Sequence, residues 1–402
     1  MRARGYSVVV LAPDADEILR RLPLPEPLRG RPGVYAVGGA VRDVLLGRPV
    51  LDLDLAVEDD LAGLAAELGV TVNERFGTAR AVHGDVTIDL ARTRRERYPQ
   101  PGALPVVEPA GIEEDLRRRD FTVNALAVPL VGGELLAVDG ALADLAAGRL
   151  GVLHDASFRE DPTRLFRLAR YAARLGFGVT PRTEERLAEA LRARLTDTLS
   201  PARIGQELRL LAAEPDPVEA FAALRHFRID ATVAPGFGLN DLGLLERAER
   251  LLGTGGRRDL LALGACVLGS ALDAERLEAM EFPAADRDFL LTVMARAEKV
   301  SWRLEMAGPP SEIDAVARPY APEFIALAGA IGPTSAAREW LAELRLRTLA
   351  ITGEDLLAAG VPAGPGVGAG LAAARAAMLD GEAPDRDAQL AVAVRAAHKA
   401  SA

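Results

Sequence analysis

The chain has 402 residues, 49% hydrophobic and 26% charged, with a formal net charge of −10. That length exceeds one ordinary core and points to roughly two to four domains. The acidic balance and 4% aromatic content argue against broad nucleic-acid coating and generic base-stacking platforms, though a local basic groove stays open to it.

In chain order, the N-terminal stretch with Val8-Val9-Val10 is too short an apolar run for a secretory signal. Residues 34–37 read as a strand ending in Gly38-Gly39, followed by a helix over 40–46 that Gly47 closes. Residues 51–57 alternate as a strand, 61–68 as a helix, 82–90 as a strand pair, and 126–138 as a hairpin around Gly132-Gly133. Beyond about residue 155 the strand signal fades. Residues 161–175, 181–195 and 200–211 are helical by pattern, and the rest is Ala/Leu/Arg helix broken by Gly and Pro, notably at 360–370. The apolar run 260–268 is far below the ~20 residues needed to span a bilayer. Cys266, inside it, is the only cysteine, which excludes an intramolecular disulfide, reads as a core residue and fits a cytoplasmic setting. The expected fold class is an α+β head with a mixed sheet, followed by an all-α remainder in an elongated multidomain chain. Approximate boundaries are 1–155 for the head, 156–215 for a neck, 216–345 for a body and 346–402 for a tail.

Asp52-Leu53-Asp54 is the strongest chemical signal. In a strand, residues i and i+2 share a face, so both carboxylates emerge together while Leu51, Leu53 and Leu55 enter the core. Two like charges so close repel unless a cation or proton intervenes, and Mg²⁺ combines one or two carboxylates with substrate phosphates. An isolated Asp-x-Asp is more often a solvated strand edge; its neighbours change that weighting. Gly38-Gly39 lies between a strand and a helix, where bare backbone amides can receive a triphosphate, and Arg42 in the following helix could pair with a phosphate. Asp89, in an alternating run, is either a third carboxylate from an adjacent strand or an ordinary strand-end acid. Arg117-Arg118-Arg119-Asp120-Phe121-Thr122-Val123-Asn124 places a basic cluster against an apolar run, the pattern of a cleft edge. Asp161-Pro162 opens a helix on which Arg164, Arg167, Arg170 and Arg174 recur at helical spacing. An Asp and an Arg one turn apart offer an acceptor and a fork of donors, enough to read the edge of a base.

In this order, Gly38-Gly39-Ala40-Val41-Arg42-Asp43, Asp52-Leu53-Asp54, Arg118-Arg119-Asp120-Phe121-Thr122-Val123-Asn124-Ala125 and Glu160-Asp161-Pro162-Thr163-Arg164 resemble the motifs of class II tRNA nucleotidyltransferases, the bacterial CCA-adding enzymes, whose poly(A) polymerase relatives share the head. Segments at 139–145, 200–208 and 351–357 extend the likeness. The resemblance implies a polymerase-β-like head and addition of CCA, or part of it, to the tRNA 3′ end from CTP and ATP, releasing pyrophosphate. It implies Mg²⁺ on Asp52 and Asp54; Asp89 is added as a candidate catalytic carboxylate from the residues alone. Gly38, Gly39 and Arg42 would meet the triphosphate, and Arg119 the nucleotide. Asp161 and Arg164 would read the base, oriented by Glu160, with Arg167 and Arg170 supporting the nucleotide and Asp43, Asp120 and Asn124 in supporting positions.

The loop over residues 92–114 is proline-containing and similar to that of relatives in which CC and A addition are split between enzymes, particularly A-adding ones. Complete CCA addition is the leading expectation, then an A-adding or CC-adding specialist, then a poly(A) polymerase. A catalytically silent RNA-binding protein is the rival from another class. His83, His154, His226 and His398 are too scattered for the phosphohydrolase domain that some relatives carry. The expected partners are tRNA and the two nucleotides, with no membrane; oligomeric state is left open.

Overall fold

In the computed structural model, which describes residues 14–50, 52–73 and 77–401, six strands of the first 140 residues assemble into one mixed sheet and two more form a separate hairpin. Leu51 and the Val8-Val9-Val10 run lie outside the described residues.

Helix α1 (Ala15–Arg21) is capped by the Asp14 carboxylate, which accepts from the Asp16 amide. Strand β1 (Val34–Val37) turns through Gly38 into α2 (Gly39–Leu45). Then come β2 (Asp52–Val57), α3 (Leu61–Glu67), β3 (Thr78–His83) and β4 (Val86–Arg92). Strands β5 (Arg94–Arg97) and β6 (Val106–Pro109) form a separate hairpin, followed by α4 (Ile112–Arg117), β7 (Leu126–Pro129) and β8 (Leu136–Ala137). The main sheet has the order β3-β4-β2-β1-β7-β8; only the β2–β4 pair is parallel. Leu53 and Leu55 of β2 are 0% and 1% exposed, whereas Asp52 and Asp54 point to the open face, as a period of two requires.

The segment read as a loop at 92–114 is thus largely hairpin. Its first strand is wholly charged and its second, Val106-Val107-Glu108-Pro109, does not alternate, so neither shows the apolar period that marks a strand in sequence; Arg95 pairs with Glu108 across the two. The chain continues through α5 (Ala141–Ala146), β9 (Arg149–Leu150), α6 (Ser157–Glu160), α7 (Thr163–Leu175), β10 (Gly178–Val179), α8 (Pro181–Arg192) and α9 (Pro201–Ala212). Helix α7 ends at Gly176, whose φ of +70° is the left-handed conformation that closes a helix. In α8, Thr180 caps the amide of Thr183 and Pro181 fills the first turn.

The chain divides into two compact units, one extending to Glu207 and adding His226–Val233, the other formed by Leu208–Arg225 and the residues from Ala234 onward. Described on its own, the second unit is helical: α10 (Pro217–His226), α11 (Leu242–Leu252), α12 (Arg258–Val267), α13 (Ala274–Ala279), α14 (Ala284–Met306), α15 (Pro310–Ala317), α16 (Pro322–Ile331), α17 (Ser335–Ala342), α18 (Gly353–Ala358), α19 (Pro365–Leu379) and α20 (Arg386–Ser401). Helix α16 is its core, buried from Glu323 through Ala330 and packed against α11, α12, α14 and α17. Cys266 is buried in α12. Asp314 ties three helices together by accepting from Trp340 Nε1 at 3.0 Å and twice from Arg375 at 2.6 and 2.8 Å. Among the described residues no helix is long and apolar enough to cross a membrane.

Candidate active site

A cleft of about 450 Å³ opens on the face of the sheet that carries the aspartates, and it is lined entirely by residues of the first unit. Its floor begins at Gly38, where φ is +66° and ψ −123°, a combination that residues with a Cβ avoid. A Cβ there would lie 2.9 Å from Arg119 Nη1, so the bare backbone lets that guanidinium approach. Gly38 and Gly39 both line the cleft.

One wall is acidic. The parallel register sets Asp54 beside Asp89 and Asp52 beside Thr87. Asp89 is held by the Arg80 guanidinium in two bonds of 2.6 and 2.9 Å, while the carboxylates of Asp52 and Asp54 have no hydrogen bond or ion pair with a described residue. The Asp54 carboxyl is held above its ordinary range by desolvation first, with Arg119 and Arg167 opposing and the Asp89 and Asp52 charges adding to the rise. Asp54 and Asp89 line the cleft. Among the described residues no three acidic, histidine or cysteine side chains converge as a ready metal cage. What β2 presents is two open carboxylates on one face, a donor set suited to a hard divalent cation that draws its remaining oxygens from phosphate and water.

The opposite wall is basic and tightly braced. Arg119 donates to Asp115 at 2.9 Å, and its buried Nε has no hydrogen-bond partner among the described residues. Arg118 donates to Asp115 at 2.7 Å and to Glu96 at 3.0 Å, which fastens the β5–β6 hairpin to α4. Burial alone would raise the Asp115 carboxyl; the two arginines overcome it and leave it lowered. Arg167 makes two bonds to Asp120 at 2.8 and 2.6 Å, and Asn124 donates to the other Asp120 oxygen at 3.0 Å. Desolvation works against the Asp120 anion, but Arg167 and Asn124 hold its carboxyl far below the carboxylate range.

Two residues expected at the nucleotide are engaged with protein partners in this geometry. Arg42, expected to meet the triphosphate, is 2% exposed; it donates to Asn124 Oδ1 at 2.5 Å and in two bonds to Asp43 at 2.9 and 3.1 Å. The buried amide of Asn124, from far along the chain, draws the guanidinium behind the glycine floor instead of into the cleft. Glu160, expected to orient the base-reading pair, faces His154 at 3.5 Å, because α6 ends there and the chain turns extended at Asp161. Asp161 is oriented instead by Thr163 and by Arg203, its Oδ1 accepting from Thr163 Oγ1 and Arg203 Nη2, each at 2.7 Å. Arg164 is braced by Ser157 Oγ at 2.9 Å and by the Arg118 carbonyl at 2.6 Å. Asp161, Arg164 and Arg167 line the cleft, whereas Arg170 lies behind it, buried and 3.8 Å from Glu207.

The family described as the Poly A polymerase head domain matches residues 34–151. A CC-adding tRNA nucleotidyltransferase of Deinococcus radiodurans is 37% identical, over 84% of this chain and 82% of that protein. The chain belongs to the tRNA nucleotidyltransferase family. An A-adding tRNA nucleotidyltransferase of Geobacter sulfurreducens is 35% identical over 91% of this chain, which spans only 45% of that relative's length. Among solved structures, a CCA-adding enzyme in an apo form matches with a TM-score of 0.78 at 26% identity, covering 94% of this chain and 98% of that one. A mixed-sheet head followed by helices is therefore the architecture this tRNA nucleotidyltransferase family member shares with that enzyme.

Several cleft residues had no role assigned from sequence. Tyr171 sits under the guanidinium groups of Arg42, Arg167, Arg170 and Arg174, each 5.5–5.9 Å from its ring centroid. Its spacing from the α7 arginines, at −4, −1 and +3, is a signal that could have been read. Arg203 and Glu207 lie in a segment quoted only as a family likeness. Glu96 and Tyr98, joined by a 2.8 Å hydrogen bond, come from the hairpin, and nothing local in the sequence marks them as cleft residues.

Proposed function

We propose that the chain transfers nucleotides, without a nucleic-acid template, from CTP and ATP to the 3′ end of tRNA, adding CCA or part of it and releasing pyrophosphate. The observation that carries this reading is the open carboxylates of Asp52 and Asp54 on one face of β2, with Asp54 lining a cleft whose opposite wall is braced arginines. The reaction is in-line attack of the tRNA 3′-hydroxyl on the α-phosphate, a chemistry that asks the protein mainly for positioning and charge stabilisation.

Enzymes of this family use divalent metal ions, and Asp52 and Asp54 would hold Mg²⁺. When bound, it lowers the pKa of the attacking hydroxyl and neutralises charge on the leaving pyrophosphate. Asp89, kept beside Asp54 by strand register and steadied by Arg80, serves as the third carboxylate of this wall. Gly38 and Gly39 let the triphosphate approach the backbone, and Arg119, with its partnerless Nε, meets it. Arg42, Asp43, Asn124 and Asp120 support the site: a chain of hydrogen bonds from α2 to Arg167 keeps the floor and the basic wall in register, and Asn124 and Asp120 also line the cleft.

Asp161 and Arg164 read the base. Cytosine and adenine each present an amino donor next to a ring-nitrogen acceptor, which a carboxylate and a guanidinium complement; uracil and guanine present the reverse order. Arg203 and Ser157 hold the pair in place. Arg170 supports it from behind through Glu207. A second reading, an A-adding specialist, is favoured by the Geobacter relative, which aligns with 91% of the chain.

The test is substitution. Asp52→Ala and Asp54→Ala should each abolish transfer while tRNA binding persists, and turnover by either would sink the metal assignment. Arg164→Ala should degrade the choice among nucleotides; an unchanged choice removes its reading role.

A further inference from the structure

The outer face of α14 carries a feature that the cleft chemistry does not use. The helix buries Leu290, Val293, Ala297, Val300 and Leu304. On its other side Arg296, Lys299, Trp302, Arg303 and Met306 are all exposed and recur at spacings of three and four, one continuous helical face. Trp302 is 60% exposed and Met306 65%. The chain's other tryptophan, Trp340, is buried and bonded to Asp314. None of Arg296, Lys299 and Arg303 forms an ion pair with a described residue. Glu298 and Glu305 border one side, and Asp288 lies two turns toward the N-terminus, but the stripe itself holds no acid.

We infer that the Arg296–Met306 face of α14 is an RNA-docking surface. Three free cations at helical spacing match the phosphates of a backbone, and a flat exposed aromatic beside them stacks on an unpaired base or the end of a base stack. Met306 extends the apolar platform by one turn. A second copy of the chain is a poorer occupant, since a two-fold contact would set the same cations against each other. An acidic peptide would satisfy the cations but gives Trp302 no flat partner.

This inference rests on the reading of the chain as acting on tRNA, and it names a surface of the helical unit for that substrate. The test uses the full chain and a tRNA transcript. Binding should quench Trp302 emission, and in Trp302→Ala, where only buried Trp340 emits, the quench should disappear and affinity fall about ten-fold. The triple change Arg296→Gln, Lys299→Gln, Arg303→Gln should flatten the dependence of log Kd on log salt by up to about 3. It should raise the KM for tRNA and leave kcat at saturating tRNA unchanged. Wild-type quenching, salt slope and KM in these variants would overturn the inference. So would a dimer that Trp302→Ala dissolves while tRNA affinity holds. If the wild-type protein extends no transcript yet shows the quench and the slope change, the transfer reading fails and the docking surface stands.

Discussion

Removing the Asp120 carboxylate should destabilise the first unit more than any other change in the cleft wall. Asp120 is 6% exposed and accepts four hydrogen bonds: from the Phe121 amide at 2.8 Å, Asn124 Nδ2 at 3.0 Å, and Arg167 at 2.8 and 2.6 Å. Asp120→Ala leaves the Arg167 cation with the Tyr171 hydroxyl at 3.3 Å and the Tyr171 ring. Breaking a buried pair from one side costs about 3–5 kcal/mol. The Arg167 side chain is 32% exposed, so water softens the loss and puts it at the lower end, about 3 kcal/mol. Both tryptophans lie in the other unit, so their fluorescence would miss this event. Native-state hydrogen exchange over β7, where Leu126, Ala127 and Val128 are 0% exposed, reads it directly. Asp120→Asn, which keeps the size and an acceptor oxygen, should cost less. The double change Asp120→Ala with Arg167→Met should be more stable than Asp120→Ala alone, because the orphaned cation is gone. A loss below about 1 kcal/mol, or no recovery in the double variant, would refute the network as the brace of the wall.

Gly38→Ala forces a Cβ into φ +66°, ψ −123° and against Arg119 Nη1; it should cost about 1–3 kcal/mol and raise the KM for nucleotide, and wild-type stability and KM would contradict the role of the bare turn. Asp314→Asn should lower the stability of the helical unit by about 2 kcal/mol at neutral pH, read from Trp340 emission during urea unfolding. Burial opposes the Asp314 anion, but Arg375 and Trp340 outweigh it and hold the carboxyl below its ordinary range. Its contribution is therefore complete above the unfolded carboxylate value of about 3.9 and is lost as pH falls through the lower folded value. The gap between wild type and Asp314→Asn should stay constant from pH 7 to about 5 and close below about 4; a gap that widened in acid would reverse the assigned sign.

The sheet and the acidic wall were legible because they rest on local rules. Alternation in Asp52-Leu53-Asp54-Leu55 sends leucines inward and aspartates outward whatever the rest of the chain does. Asp89 could be named from the sequence only as one of two alternatives, because the β2–β4 register that sets it beside Asp54 depends on a parallel pairing made across α3 and β3. The surroundings of Arg42 were hidden for a similar reason. A basic residue early in a helix is ordinarily solvated, and only a buried amide 82 residues away draws it inside. The β5–β6 hairpin escaped because neither Arg94-Arg95-Glu96-Arg97 nor Val106-Val107-Glu108-Pro109 alternates apolar with polar residues, and Pro109 closes the second strand where a proline argues against one. Asp161 was correctly set at the start of α7, yet the residue that steadies it, Arg203, arrives from α9 rather than from neighbouring Glu160.

The measurement that bears most directly on the central claim is extension of three tRNA transcripts, ending before CCA, after one C and after CC, each with Mg²⁺ and CTP, ATP or both. The account predicts that at least one transcript gains a short, defined C or A addition with pyrophosphate release. Full CCA on the shortest marks a complete enzyme, a single A on the CC-ended transcript alone an A-adding specialist, and two Cs with a halt a CC-adding one. A long A-ladder on any RNA, or no extension of any transcript, would contradict it.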